Sequence, residues 1–144
     1  MRVIVLVILS LVLILDAGAI SVASDFYVHN TLHLTEGTSK VYNIELQNPE
    51  PFELSYKVDY DDTYMKAIDF KEGYVLQPKA SERVQFNVTA PKYNKNNNKF
   101  TLSFTVHQTS GAGGGIGFLL KINKNFKLQV AKDPNRFYIN YFHV

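Results

Sequence analysis

Phe100-Thr101-Leu102-Ser103-Phe104-Thr105-Val106-His107 carries an apolar residue at every second position. That repeat sets an oily row on one face of a β-strand and a polar row on the other. The same period recurs on either side of it. Upstream, Tyr42, Ile44 and Leu46 alternate with Asn43, Glu45 and Gln47. Leu54, Tyr56, Val58 and Tyr60 alternate with Ser55, Lys57 and Asp59. Val84, Phe86 and Val88 alternate with Arg83, Gln85, Asn87 and Thr89. Downstream, Phe126, Leu128 and Val130 alternate with Lys127 and Gln129. A slip of one residue would turn any of these rows outward, so register is strongly specified.

Weaker strand signals lie at Phe26–Val28, Leu32–Leu34, Ala67–Phe70, Tyr74–Leu76 and Ile116–Ile122. Turn chemistry separates the runs: Thr35-Glu36-Gly37-Thr38, Asn48-Pro49-Glu50-Pro51, Gln77-Pro78-Lys79-Ala80 and Ala90-Pro91. Proline cannot donate to a ladder and confines each strand between these points. Beyond the N-terminal apolar run, no comparable stretch has helical spacing. Short strands at close spacing with Gly, Pro and Asn turns predict an all-β antiparallel sandwich of seven to nine strands.

The N-terminus reads differently. Met1 and Arg2 precede an unbroken apolar run, Val3 to Leu15, followed by small residues through Ser24. A basic start, a run of secretory length and small-residue cleavage options at Ala17/Ala19 or Val22/Ser24 describe a signal peptide. The run is shorter than the ~20 residues that cross a bilayer, although retention of residues 3–23 would leave a membrane anchor. The organisation expected is therefore 1–24 as signal peptide or uncleaved anchor, 25–132 as the sandwich and 133–144 as an aromatic C-terminal strand or tail. The protein is expected to be secreted or held at the cell surface or envelope.

Composition narrows the function classes. Cysteine is absent, so no disulfide supports this exported domain. Tryptophan is absent too, which excludes the Cys…Trp…Cys pattern of antibody domains. A net charge of +2 with scattered lysines gives no argument for nucleic acid. No Gly-x-Ser-x-Gly, no His-Glu-x-x-His and no cysteine nucleophile occurs. His29 and His33 would stand about 13 Å apart on a strand, too far to share an ion. Asp59, Asp61 and Asp62 lack the frame of a Ca²⁺ loop and read as turn acids. The sequence thus predicts a non-enzyme with no cofactor and no metal.

Three features stand out as candidate sites. Asn87-Val88-Thr89 is an N-glycosylation sequon with Asn87 on an outward position. Gly111-Ala112-Gly113-Gly114-Gly115-Ile116-Gly117 has neither dinucleotide-fingerprint nor phosphate-loop spacing. It reads as a flexible turn, or as a mobile binding tip centred on Gly113, Gly114 and Gly115. The tail Arg136-Phe137-Tyr138-Ile139-Asn140-Tyr141-Phe142-His143-Val144 is aromatic on both faces. It is either a flap over the domain's own sheet or a strand that adds to another copy or a partner, through Phe137, Tyr138, Tyr141 and Phe142.

The sequence from Glu36 to Pro49 runs from a Gly turn into a strand ending in Asn-Pro. Polar-alternating Glu53–Asp59 follows, and then Leu76 to Pro91 in the pattern Leu-x-Pro, polar, Val-x-Phe-x-Val-x-x-Pro. This order resembles the immunoglobulin-like sandwiches of the major sperm protein and pilus-chaperone type, and related prokaryotic surface-protein domains. The resemblance spans roughly Leu32 to Val130. It implies two packed antiparallel sheets and a binding, scaffolding or assembly role with no catalytic residue. Pilus chaperones anchor their subunit's carboxylate with a basic pair, one residue on the first strand and one on a later strand. Phe26 to Leu34 contains no Arg or Lys, so the first-strand half of that pair is missing. The expected function is a cell-surface or envelope module making protein contacts, or self-associating, through a sheet edge or the tail. The alternatives are a chaperone-like assembly factor working by strand addition and a carbohydrate-binding domain.

Overall fold

The computed structural model describes residues 21–111 and 120–132. Nine strands form on them: β1 (Ser21–Ser24), β2 (Thr31–Thr35), β3 (Ser39–Gln47), β4 (Leu54–Tyr60), β5 (Met65–Ile68), β6 (Tyr74–Leu76), β7 (Ser81–Thr89), β8 (Lys99–Gly111) and β9 (Lys121–Ala131). They make a four-stranded sheet in the order β1-β3-β7-β5 and a five-stranded sheet in the order β2-β9-β8-β4-β6. One helical turn, Val28–Asn30, lies among them.

The alternating rows become the two inner faces. Tyr42, Ile44 and Leu46 on β3 stand opposite Phe86, Val84 and Glu82 on β7. Leu102, Phe104 and Val106 on β8 stand opposite Phe126, Lys124 and Ile122 on β9. Nearly all of the inward residues are buried in a single cluster; Ile44, Leu46, Phe86, Val106 and Leu128 have no exposed surface. The sheets meet through aromatic rings. Tyr42 stacks on Phe126 at 4.3 Å between centroids and 9° between planes, and Phe86 lies 6.5 Å from Phe104. Such pairs add to the area they bury, by about 0.5–1.5 kcal/mol each.

The turns behave as their residues require. Gly37 takes φ +73°, where a Cβ would be strained, and the Thr38 N–H closes the turn on the Thr35 carbonyl. Pro78 presets the turn in which Lys79 adopts φ 62° and the Ala80 N–H donates to Gln77. Asn48, read from sequence as the end of a strand, does more. It is 2% exposed, and its amide nitrogen lies within 3.1 Å of the carbonyls of Phe52, Leu76 and Gln77. Its Oδ1 accepts from the Glu50 N–H.

Three expectations need correction. Phe26–Val28 is not a strand. The chain there leaves extended geometry, and His29 and Asn30 both take φ 54°. The first strand is instead Ser21–Ser24, antiparallel to β3 from Ser24↔Ile44 to Ser21↔Gln47. The weak signal at Ala67–Phe70 lies two residues early in the structure, as Met65–Ile68, because Met65 and Ala67 supply the inward row opposite Val88 and Phe86. Finally, the second sheet is mixed rather than antiparallel: β2 runs parallel to β9. The last strand begins at Lys121, and residues 116–119 of the expected Ile116–Ile122 strand lie outside the described residues.

Candidate functional site

The site is built where β9 outruns its neighbour. On one side β8 pairs with β9 from Lys121 to Gln129. On the other, β2 begins only at Thr31, opposite Lys127. Lys121–Phe126 therefore has no strand beside it on the β2 side, among the described residues. It is the longest stretch of described strand left without a ladder partner on one side. In an antiparallel ladder successive residues point their N–H and C=O alternately to the two neighbours. Leu120 and Val130 bond toward the β8 side, through Gln108 and Asn98. The groups of Lys121, Asn123 and Asn125 thus face the open side, and the Asn125 carbonyl there accepts from the Asn30 side chain at 2.8 Å.

The gap exists because the chain changes sheets. β1 lies in the four-stranded sheet and β2 in the five-stranded one. The crossing is made at His29 and Asn30, whose positive φ values sit in the region where Asn and His are enriched. Asp25 fixes the near end: its N–H donates to the Asn43 carbonyl at 3.0 Å. Its Oδ2 accepts from the Asn43 N–H and side-chain amide at 2.9 and 3.0 Å. Tyr27 then turns inward, with its ring 5.9 Å from Tyr42 and under the Lys40 ammonium at 5.1 Å. Phe26 and Val28, its neighbours, point out and are 86% and 60% exposed.

An open cleft of about 380 Å³ results, lined by Asp25, Phe26, Asn30, Asn123, Lys124 and Asn125 among others. Its size falls within the usual range for ligand sites. Lys124 occupies an inward position, opposite Phe104. It is nonetheless exposed, and its ammonium reaches Ser24 Oγ of the other sheet at 3.4 Å. The Tyr27 hydroxyl is buried without a hydrogen-bond partner. Burial, reinforced by the charge of Asp25 and by Tyr42, pushes its pKa up to about 12.

Asn87 stands apart from this cleft, half-buried on the outer face of the four-stranded sheet between Val41 and Lys66. Asp59 accepts from His107 Nε2 at 2.9 Å, with Lys57 at 3.5 Å, on the outer face of the other sheet. Asp61 caps its own turn through the Thr63 N–H, and the Thr63 hydroxyl first, then that N–H, hold its carboxyl below the usual range. Gly113, Gly114 and Gly115 and the tail residues Phe137, Tyr138, Tyr141 and Phe142 lie outside the described residues.

No family model matches the chain, and no curated protein matches its sequence. Solved structures do. A chain of the Salmonella enterica SafA pilin–SafB chaperone complex aligns with a TM-score of 0.52 at 9% identity, over 83% of this chain and 57% of that one. Escherichia coli alpha-2-macroglobulin, from domain MG7 to its C-terminus, aligns with a TM-score of 0.53 at 13% identity, over 78% of this chain and 17% of that one. The fold is an immunoglobulin-like sandwich, similar to that of the pilin–chaperone complex chain. A Caenorhabditis elegans MSP family member, WR4, aligns over 79% of this chain and 99% of its own at 13% identity, with a TM-score of 0.44.

Sequence reasoning missed Phe26, Asn30, Asn123 and Lys124. The signal for Lys124 was present as a break in parity. Phe126, Leu128 and Val130 continue backwards to Lys124, so one inward position of the row is charged. On the first-strand side the structure supplies Ser24 and Asp25, and among the described residues Lys124 is the single base lining the cleft.

Proposed function

We propose that this chain is an exported, non-enzymatic cell-surface or envelope module that takes an extended segment of a protein partner along the open edge of β9. The carrying observation is the run Lys121–Phe126, without a strand on its β2 side among the described residues and bordered by exposed Phe26 and Val28. Such an edge offers main-chain bonds for affinity, and the adjoining apolar side chains offer specificity. Likeness to a chain of a pilin–chaperone complex supports a module of protein contact. Lys124 without a first-strand base favours a surface or adhesion module over a chaperone that clamps a carboxylate.

The test is site-specific photocrosslinking in the native envelope. Adducts are expected from positions 26 and 123 and not from 87. Asn123→Pro removes an outward-facing N–H while leaving the β8 ladder intact, and it should abolish the adducts. A stable stoichiometric product supports the surface module; a transient one supports an assembly factor. Adducts that survive the proline would refute the edge. Phe26 beside the Asn30 and Asn123 amides is the one arrangement that favours a saccharide instead. Glycan binding abolished by Phe26→Ala, with no protein adduct, would establish that reading.

A further inference from the structure

Two cleavage positions satisfy the small-residue rule in this sequence. One falls between Ala19 and Ile20, with Ala17 and Ala19 at −3 and −1. The other falls between Ser24 and Asp25, with Val22 and Ser24 in those places. They differ by five residues, and four of those five are β1.

β1 is integrated into the domain. It pairs with β3 through four successive residues, from Ser21↔Gln47 to Ser24↔Ile44. The Ser21 hydroxyl donates to Gln47 Oε1 at 2.9 Å. Val22 faces inward opposite Leu46 and packs on the core cluster. Ser24 faces inward opposite Ile44 and meets Lys124 from the other sheet. Without β1, the outer edge of β3 would be bare along Ile44–Gln47. It joins Ser39–Tyr42, which already has no strand on that side among the described residues. A long, flat, unprotected edge is what folded β-proteins avoid, because it templates pairing with other chains.

We infer that Ser21–Ser24 belongs to the mature domain, so that processing cuts between Ala19 and Ile20 and not between Ser24 and Asp25. The inference rests on the reading of this chain as exported. It assigns a proteolytic site and makes β1 a built-in cover for β3. The pair Ala17/Ala19 also matches the Ala-x-Ala form more closely than Val22/Ser24 does.

The experiment expresses the full chain in an exporting host and reads the N-terminus and mass of the product. The expected start is Ile20-Ser21-Val22-Ala23. Ala19→Leu, which places a bulky residue at −1, should stop that cut, whereas Ser24→Leu should leave it unchanged. Cleavage does not depend on the final fold, so neither result can be blamed on misfolding. A second measurement compares chains beginning at Ile20 and at Asp25. The shorter one should melt at a lower temperature and associate as its concentration rises. A product starting at Asp25, processing blocked by Ser24→Leu, or equal melting and association of the two chains would each overturn the inference. An exported but uncut chain would overturn the cut and leave the export reading standing. A chain retained inside the cell would overturn both.

Discussion

Single residues hold this sandwich at points where the repeat of two says nothing. Asn48 is the clearest. Its side chain serves three carbonyls and one N–H at the corner joining β3, β4 and β6. Asn48→Ala should cost roughly 2–4 kcal/mol, since buried carbonyls would lose their donor; urea unfolding measures it. Tyr27 is the opposite case. Its buried hydroxyl has no partner, so Tyr27→Phe should not destabilise the protein at neutral pH. Its folded-state pKa is raised from 10.0 to about 12. The unfolded chain therefore releases the Tyr27 proton first, and stability present below pH 10 is lost as pH rises toward 12. Tyr27→Phe should flatten that decline, followed by thermal melts at intervals across pH 9 to 12.

At the scale of elements, the five strongest alternating rows were legible, because each needs one face dry and one face wet. Phe126 illustrates what they do: it stacks on Tyr42 across the sheets, and Phe126→Ala should cost about 3–5 kcal/mol in unfolding free energy. What escaped the sequence was everything set by pairing across distance. Ser21–Ser24 is too short and too polar to announce a strand, and it exists because β3 offers it an edge. Phe26–Val28 has the right residues for a strand, but crossing between sheets requires the turn at His29–Asn30 instead. The parallel pairing of β2 with β9 follows from that crossing. The open edge of β9 is likewise a property of two strands at once. Asn123→Pro tests it at this level: stability should change by less than about 1 kcal/mol, because the lost N–H faces outward.

At the scale of the whole sandwich, the described strands differ in length between edge and interior. The terminal strands of the two sheets, β1, β5, β2 and β6, are four, four, five and three residues long. The interior strands β3, β4, β7, β8 and β9 run nine, seven, nine, thirteen and eleven. Short edge strands limit unwanted pairing. Against that arrangement, six consecutive residues of β9 that are open on one side among the described residues are an exception, with a polar cleft and an apolar lip beside them. The account stands on that exception being a docking edge. Hydrogen exchange of the processed protein, alone and in the complex purified from its native envelope, tests it most directly. The amides of Lys121 and Asn123 should exchange freely in the isolated chain and become protected in the complex, while those of Tyr42 and Phe86 stay protected in both. Protection of Lys121 and Asn123 already in the isolated monomer, or no change there on complex formation, would contradict the account.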